Sequence, residues 1–215
     1  MVNLSKGQKI SLEKSNGSRL EKFCVGVNWG AIETKGFLGF KKMVDVDLDL
    51  SCIVLDEDKK MIDYIYSPYY RTDVLSKFGL QPGKLQTNDS ALKHSGDDLQ
   101  GDDSIDDADN EIISVELKKV NAKAKELYFF LNNVGNEDFS QIPYAKLRMF
   151  EGTPEKVTDI FASYNVSAES RYNNKRALIL GKLVKNDSNW NFVAIGDPTE
   201  DSFIGQTIVR ILEKY

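Results

Sequence analysis

Hydrophobic side chains recur at every second position along most of the chain, and this period constrains the fold more than any other feature. The segments FCVGVNW (23–29) and VDVDLDLSCIVL (44–55) each place β-branched, aromatic or aliphatic side chains on one face of an extended strand. Six further short apolar runs follow, and turn-forming Gly, Asn and Pro residues separate them. Strands of this kind without long intervening helices predict an all-β fold, a two-sheet antiparallel β-sandwich.

The last residues follow a different period. Ile204, Ile208, Ile211 and Leu212 fall on one stripe of a helix, so a short C-terminal helix is expected to close the sandwich. At 215 residues the chain has the length of one large sandwich, and a single domain over residues 1–215 is predicted. Alternation within the strands gives the predicted core: Val25, Val27, Leu48, Leu50, Val115, Phe129, Leu147 and Phe192.

Charge and composition exclude several classes of protein. The formal net charge of -5 argues against a nucleic-acid binder, which needs a basic face to displace counterions. The first residues lack the apolar centre of a signal peptide, and no segment is long and apolar enough for direct membrane insertion. Cys24 and Cys52 lie in apolar strand patterns, which favours two buried free thiols in a reducing compartment over a disulfide. A cytoplasmic protein is expected.

One loop concentrates negative charge. The segment HSGDDLQGDDSIDDADNE (94–111) holds eight acidic residues and no lysine or arginine, and it leads directly into a strand. Asp45, Asp47 and Asp49 form a second acidic row, because alternation points them to the same face about 7 Å apart. Such crowding has two explanations: the loop is simply solvated, as most runs of like charge are, or a bound cation cancels the repulsion.

The residue types favour Ca²⁺ among the possible cations. Short aspartates in turns, beside glycines that expose backbone carbonyls, supply the six to eight hard oxygen ligands that Ca²⁺ takes. Zinc and copper would want histidine and cysteine, and the chain has one His and two Cys. The loop does not match the EF-hand pattern. The lone His94 is expected to be favoured in its charged form by the carboxylates around it.

An enzyme is the third interpretation. Asp47 and Asp97 could act as paired carboxylates on a glycosidic bond. Nothing in the sequence isolates one carboxyl in an apolar pocket or builds a platform for a sugar, so a non-enzymatic protein is expected.

Several motifs in order resemble one family. HSGDDLQG followed by DADNEIISVEL resembles the GDNLTG…GDDE motif that precedes a strand in the TerD-type tellurite-resistance (stress-response) family. VDVDLDLSCIVLDED is similar to its F-DLDAS strand, FCVGVNWG to its V-x-VGLGWD strand, and LSKGQKISLEK to its opening L-x-KG-x-x-x-x-L strand. The resemblance extends from about Leu4 to Leu212.

This resemblance implies a cytoplasmic β-sandwich that binds calcium at its acidic motifs. With the acidic loop at about 94–111 as part of the site, the predicted metal ligands are Asp47, Asp49, Asp97, Asp98, Asp107, Asp109 and Glu111. The aspartates in the middle of the loop, Asp102 and Asp103, are expected to point to water. The implied function is a calcium-binding, non-enzymatic module of a chemical-stress (tellurite-type) resistance response, with protein partners in a stress-response complex. The alternative is a structural or protein-interaction scaffold whose acidic loop is merely solvated.

Overall fold

The computed structural model describes residues 2–3, 7–12, 17–35, 41–102, 108–167, 170–187 and 189–215. The strands in chain order are β1 (Val2–Asn3), β2 (Lys9–Ser11), β3 (Lys22–Trp29), β4 (Ile32–Lys35), β5 (Lys41–Val44), β6 (Leu48–Leu55), β7 (Met61–Ile65), β8 (Leu92–His94), β9 (Glu111–Glu116), β10 (Glu126–Asn133), β11 (Tyr144–Thr153), β12 (Lys156–Ser167), β13 (Ala177–Asn186) and β14 (Asn189–Thr199). The α-helices are α1 (Thr72–Leu75) and α2 (Ile204–Lys214), and short 3₁₀ turns span Ser76–Phe78, Leu117–Lys119 and Ser170–Tyr172.

The strands form two six-stranded sheets and a separate hairpin. The first sheet has the order β1-β12-β11-β3-β9-β8, the second has the order β2-β14-β13-β10-β6-β7, and β4 pairs with β5. Neighbouring strands run antiparallel, except that β1 runs parallel to β12 at one edge. The predicted all-β fold of two antiparallel sheets with a short C-terminal helix is therefore confirmed, and the parallel edge pair is an addition to it.

The hydrophobic core lies between the two sheets. Inward-facing side chains of β3, β9 and β11 meet those of β6, β10, β13 and β14 in one cluster. The eight predicted core residues all belong to this cluster, and each is at most 3% exposed: Val25, Val27, Leu48, Leu50, Val115, Phe129, Leu147 and Phe192. Period-two alternation thus identified the inner faces correctly, because side chains on a strand alternate between its two sides.

The outer face of the second sheet is covered as well. A second apolar cluster there includes Ile53 and Phe130 from the strands, Leu75 from α1, and Ile204 and Ile208 from α2. Every residue of β6 and β10 is consequently buried. The predicted helical stripe is correct except for Leu212, which is 37% exposed because it lies at the margin of the stripe in the last turn.

Two smaller expectations can also be compared with the structure. Cys24 and Cys52 are buried and free, as predicted. In the part of the chain that the structure describes, no helix has the length and apolarity to cross a bilayer. The single domain over 1–215 stays a prediction.

Candidate metal centre

Three aspartates come together where the two sheets meet the acidic loop. Asp47 lies just before β6, Asp49 is the second residue of β6, and Asp97 lies three residues after β8. One carboxylate oxygen from each can be chosen so that all three lie within 4.8 Å of one another. Within the described ranges this is the one cluster of at least three potential ligand side chains with that geometry. These residues are called the acidic trio below.

The acidic trio is crowded and poorly neutralised. Asp49 is only 3% exposed, since it faces the helix-covered side of the second sheet. Asp47 and Asp97 are half-buried, and the Oδ1 atom of each has no hydrogen-bond partner among the described residues. Ser67 donates its hydroxyl to Asp97 Oδ2 at 3.1 Å. Buried charged carboxylates are unfavourable unless they are compensated, and a retained proton or a bound cation would each reduce that cost.

The pKa values of Asp47 and Asp49 are both raised by this crowding. Burial, with the charges of Asp97 and Asp98 added, raises the pKa of Asp47 to about 6. Burial also raises the pKa of Asp49 well above its ordinary range, and its contacts with Asp97 and Glu111 act in the same direction. In the absence of a cation Asp49 therefore keeps a proton at neutral pH that an exposed aspartate would have lost, and Asp47 takes up its proton at a higher pH than an exposed aspartate does. A metal ion would displace those protons.

The neighbouring aspartate Asp98 holds the acidic loop in shape. Its Oδ1 accepts the backbone N–H of Gln100 at 3.0 Å, and its Oδ2 accepts from Asn110 Nδ2 at 3.2 Å. The loop is also bonded to β3, since Asp102 N donates to Trp29 O at 3.0 Å. Gly101 adopts φ +72°, and a Cβ there would lie 2.7 Å from the Trp29 ring, so both conformation and space require glycine. The described parts of the loop are thus ordered against the sheet.

The prediction that Asp102 points to water is wrong. Its carboxylate accepts from Asn28 Nδ2 at 2.8 Å and from Asn110 Nδ2 at 3.1 Å. Two side-chain amides on the rim of β3 and β9 attract it, and neither was assigned that role from the sequence. Asp103 and the predicted ligand Asp107 lie outside the described residues.

The Glu111 side chain, with that of the neighbouring His94, connects the two sheets by hydrogen bonds; this connection is called the Glu111 joint below. Strand β7 pairs with β6 only from Cys52 onward, so the backbone of Leu50 has no strand neighbour on that side. Glu111 Oε2 accepts the Leu50 N–H at 2.6 Å, and His94 Nε2 donates to Leu50 O at 3.0 Å. Glu111 Oε1 also accepts the Asp98 N–H at 3.2 Å. Side chains of the first sheet therefore take the place of a missing strand beside the second.

Burial keeps both Glu111 and His94 uncharged at neutral pH. It raises the pKa of Glu111 to about 9, although the backbone donors of Leu50 and Asp98 lower it. Burial likewise lowers the pKa of His94, so the prediction of a charged His94 is wrong: the loss of hydration outweighs the neighbouring carboxylates. The neutral tautomer with its proton on Nε2 fits, because Gly96 N donates to Nδ1 at 3.1 Å.

This joint predicts a pH dependence of stability. Without divalent cations, the folded chain keeps a proton at Glu111 that the unfolded chain loses near its ordinary pKa of 4.5. The free energy of unfolding should thus fall by about 2 kcal/mol from about pH 6.5 to pH 8, which corresponds to roughly 4 to 8 °C in Tm. His94 acts oppositely only below about pH 6.5, outside this window. Melting curves in EDTA measure the slope.

Glu111→Gln is the matched control for this slope, because glutamine has nearly the same shape and does not titrate. Its Tm should fall less than that of wild type over the same range, because only the raised pKa of Asp49, with a small contribution from Asp47, still makes stability fall with pH. A wild-type Tm that rises with pH there would contradict the neutral Glu111.

The remaining predicted ligand, Asp109, is held elsewhere. Its carboxylate forms an ion pair with Arg148, with Nε 2.8 Å from Oδ1 and 2.9 Å from Oδ2. Both side chains are buried, 1% and 8% exposed. Arg148 lies between inward-facing Leu147 and Met149, so it points to the outer face of the first sheet. The structure therefore does not bring Asp109 into the acidic trio. Asp98 and Glu111, in contrast, lie next to the acidic trio.

Fold and site together define a class: a two-layered antiparallel β-sandwich with a carboxylate centre at one end, where a loop closes over the sheets. Comparison with known proteins identifies the family. Residues 1–208 match the TerD domain family, and the chain belongs to that family.

The relatives agree with this assignment. The chain is 30% identical over 198 residues to tellurium resistance protein TerZ of Serratia marcescens, covering 91% of this chain and 89% of that protein. It is 27% identical over 222 residues to stress response protein SCP2 of Bacillus subtilis, covering 97% and 98%. The crystal structure of a homologue of telluride resistance protein (TerD) from Streptomyces coelicolor superposes with a TM-score of 0.58 at 10% identity, covering 84% of this chain and 91% of that one. That likeness shows the fold.

Proposed function

We propose that this protein is a calcium-binding, non-enzymatic module of a chemical-stress (tellurite-type) resistance response. The observation that carries the proposal is the acidic trio: one carboxylate oxygen from each of its three residues lies within 4.8 Å of the others, and the Oδ1 atoms of Asp47 and Asp97 have no hydrogen-bond partner among the described residues. A Ca²⁺ ion bound there would offset most of their negative charge and compensate for the desolvation that raises the pKa values of Asp47 and Asp49.

The donor set fits Ca²⁺ better than zinc or copper. The acidic trio offers only carboxylate oxygens, which are hard ligands, and two of the three residues come from or directly precede a rigid strand. Asp98 and Glu111 hold the loop that carries Asp97, and a direct contribution from them, from Asp107 or from Asp109 stays a prediction. The affinity expected for such a site is that of a sensor, on the order of 10⁻⁷ to 10⁻⁵ M.

The names of the relatives support the setting. TerZ is named a tellurium resistance protein and SCP2 a stress response protein. On this proposal the protein acts in the cytoplasm, where it responds to calcium and binds protein partners of a stress-response complex. A cluster of carboxylates this dense suits neutralisation by a metal better than proton transfer, which supports a role in binding rather than in catalysis.

Calcium should stabilise the fold by mass action. With a Kd near 10⁻⁵ M, about 1 mM Ca²⁺ should raise the free energy of unfolding by roughly 2.7 kcal/mol. Thermal melts in EDTA and then in excess Ca²⁺, together with a calorimetric titration, measure this. Asp97→Asn removes a charge from the acidic trio and should weaken binding at least tenfold.

Asp45→Asn is the matched control, because Asp45 is exposed, lies two residues from Asp47 and carries the same charge. It should change affinity by no more than about twofold, an effect that salt screens. Equal losses in both variants that vanish at high ionic strength would show a diffuse anionic surface and support the scaffold alternative. So would the absence of any shift in Tm.

A further inference from the structure

A cavity of about 250 Å³ opens beside the acidic trio, and its lining has two chemically different halves. One half is formed by the carboxylates of the acidic trio and by Asn132. The other half is apolar and includes Tyr69, Val74, Leu99, Val134 and Phe203. A metal ion with its water shell matches the first half only.

The polar half has more unmatched acceptors than donors: Ser67 already donates to Asp97, and among the described lining residues the Tyr70 hydroxyl is the one buried donor without a partner. Asn132 is 2% exposed and stands directly opposite Asp49 on the paired strand β10. Its Nδ2 donates to Thr207 Oγ1 at 2.9 Å, but its Oδ1 has no hydrogen-bond partner among the described residues. Asp47 Oδ1 and Asp97 Oδ1 also lack a hydrogen-bond partner among the described residues. A buried acceptor without a donor is costly, and three around one cavity indicate a ligand that supplies several N–H groups.

The apolar half includes exposed side chains that no described residue covers. Tyr69 is 75% exposed, Leu99 55% and Val134 47%, and all three line this one cavity. Behind them, Tyr70 and Phe203 pack edge to face with ring centroids 5.7 Å apart, which gives the cavity a firm aromatic wall. Exposed apolar side chains gathered at a concave site mark a binding surface.

The charged side chains around the cavity favour a positively charged ligand. Three aspartates line the cavity against one cation, Arg71, whose guanidinium is already paired with Asp73 at 2.7 Å. An anion would meet net repulsion, whereas an ammonium group would gain charge-assisted hydrogen bonds and contact with aromatic rings. The volume is below that of sites for drug-sized ligands, so the ligand has one ring or a short chain.

We infer that the cavity binds a small primary ammonium compound, with its ammonium group on Asp49, Asp97 and Asn132 and its hydrocarbon body against Tyr69, Val74 and Phe203. Such a ligand shares the carboxylates of the acidic trio with calcium, so the two cations compete for the site. Each should weaken the binding of the other by the same factor. The inference does not depend on calcium binding, because the unmatched oxygens and the apolar wall are present without it.

The test uses the full chain in EDTA near neutral pH and 2-phenylethylammonium as the probe. Calorimetry or NMR titration to about 10 mM detects ligands of millimolar affinity. The ammonium compound should bind at least tenfold more tightly than 2-phenylethanol and than 3-phenylpropionate, which share its ring but lack the charge or reverse it. Added Ca²⁺ should weaken its binding if calcium occupies the acidic trio. Binding that resists Ca²⁺ would instead contradict the calcium proposal or the shared carboxylates, and a separate calcium titration distinguishes these.

Tyr69→Ser tests the apolar wall, and it should fold because Tyr69 is largely exposed. It should lower affinity about fivefold or more, whereas Val157→Ser, at an exposed apolar position away from the cavity, should not. Asn132→Leu removes the unmatched acceptor and should lower affinity about tenfold. The inference is overturned if 2-phenylethylammonium does not bind, if the alcohol or the carboxylate binds equally well, or if Tyr69→Ser and Val157→Ser behave alike.

Discussion

Replacing Glu111 with alanine should lower the free energy of unfolding by about 3 to 5 kcal/mol. The change leaves the backbone N–H of Leu50 without its acceptor in a region where Glu111 itself is fully buried. It also removes the acceptor of the Asp98 N–H and opens a cavity between the sheets. Each unsatisfied donor costs about 1 to 3 kcal/mol, and lost packing adds to that.

Glu111→Gln should cost less, about 1 to 2 kcal/mol, since it keeps the packing volume and one carbonyl acceptor for Leu50, although its NH₂ group no longer accepts the Asp98 N–H. Burial keeps the carboxyl protonated at neutral pH in the cation-free protein, so glutamine replaces one neutral group with another. Urea unfolding of wild type and both variants at pH 7 in EDTA measures the difference. If alanine and glutamine cost the same, the acceptor for Leu50 is not what stabilises the joint.

Replacing Arg148 with methionine should also cost about 3 to 5 kcal/mol. Asp109 is 1% exposed, and the substitution takes away the cation that neutralises it in the buried pair. Methionine fills much of the same volume and can pack on Phe150, whose ring lies 5.4 Å from the Arg148 guanidinium carbon. The loss therefore reports mainly the isolated charge. Urea unfolding measures it.

The double variant Arg148→Met with Asp109→Asn separates charge from packing. Removing the charge of Asp109 should restore about 2 kcal/mol relative to Arg148→Met alone, a coupling that a double-mutant cycle isolates. A cost below about 1 kcal/mol for Arg148→Met would contradict the importance of this pair. Calcium titration of Asp109→Asn in parallel tests whether Asp109 also contributes to metal binding.

Alternation along the strands was sufficient to predict the sandwich and its inner faces. Whether Val25 or Leu50 points inward depends only on strand geometry, so a local pattern contains that information. Burial of Asp49 was not predictable in this way, because it depends on α1 and α2 covering the outer face of the second sheet. Packing between distant segments leaves little trace in a short window of sequence.

The same distinction applies to the acidic centre. The two acidic segments were identified from charge and from the family resemblance, and the structure brings Asp47 and Asp49 next to Asp97. The fixed side chains around them were missed. Asn28 and Arg148 were weak signals in the sequence, since each is a polar residue at an outward position of an otherwise apolar strand. Such a residue often has a specific partner, but the sequence does not show which one.

The Glu111 joint also bears on the order in which the chain folds. Leu50 and Glu111 are 61 positions apart, so their contact closes a long loop whose entropy cost is recovered only when both sheets have docked. Asp97 is carried by the segment that ends at Glu111, and Asp49 is adjacent to Leu50. The carboxylates therefore converge late, after each sheet has acquired its own strand pairs. In a chain whose sheets have not docked, the aspartates lie apart, so we expect the binding centre to exist only in the folded protein.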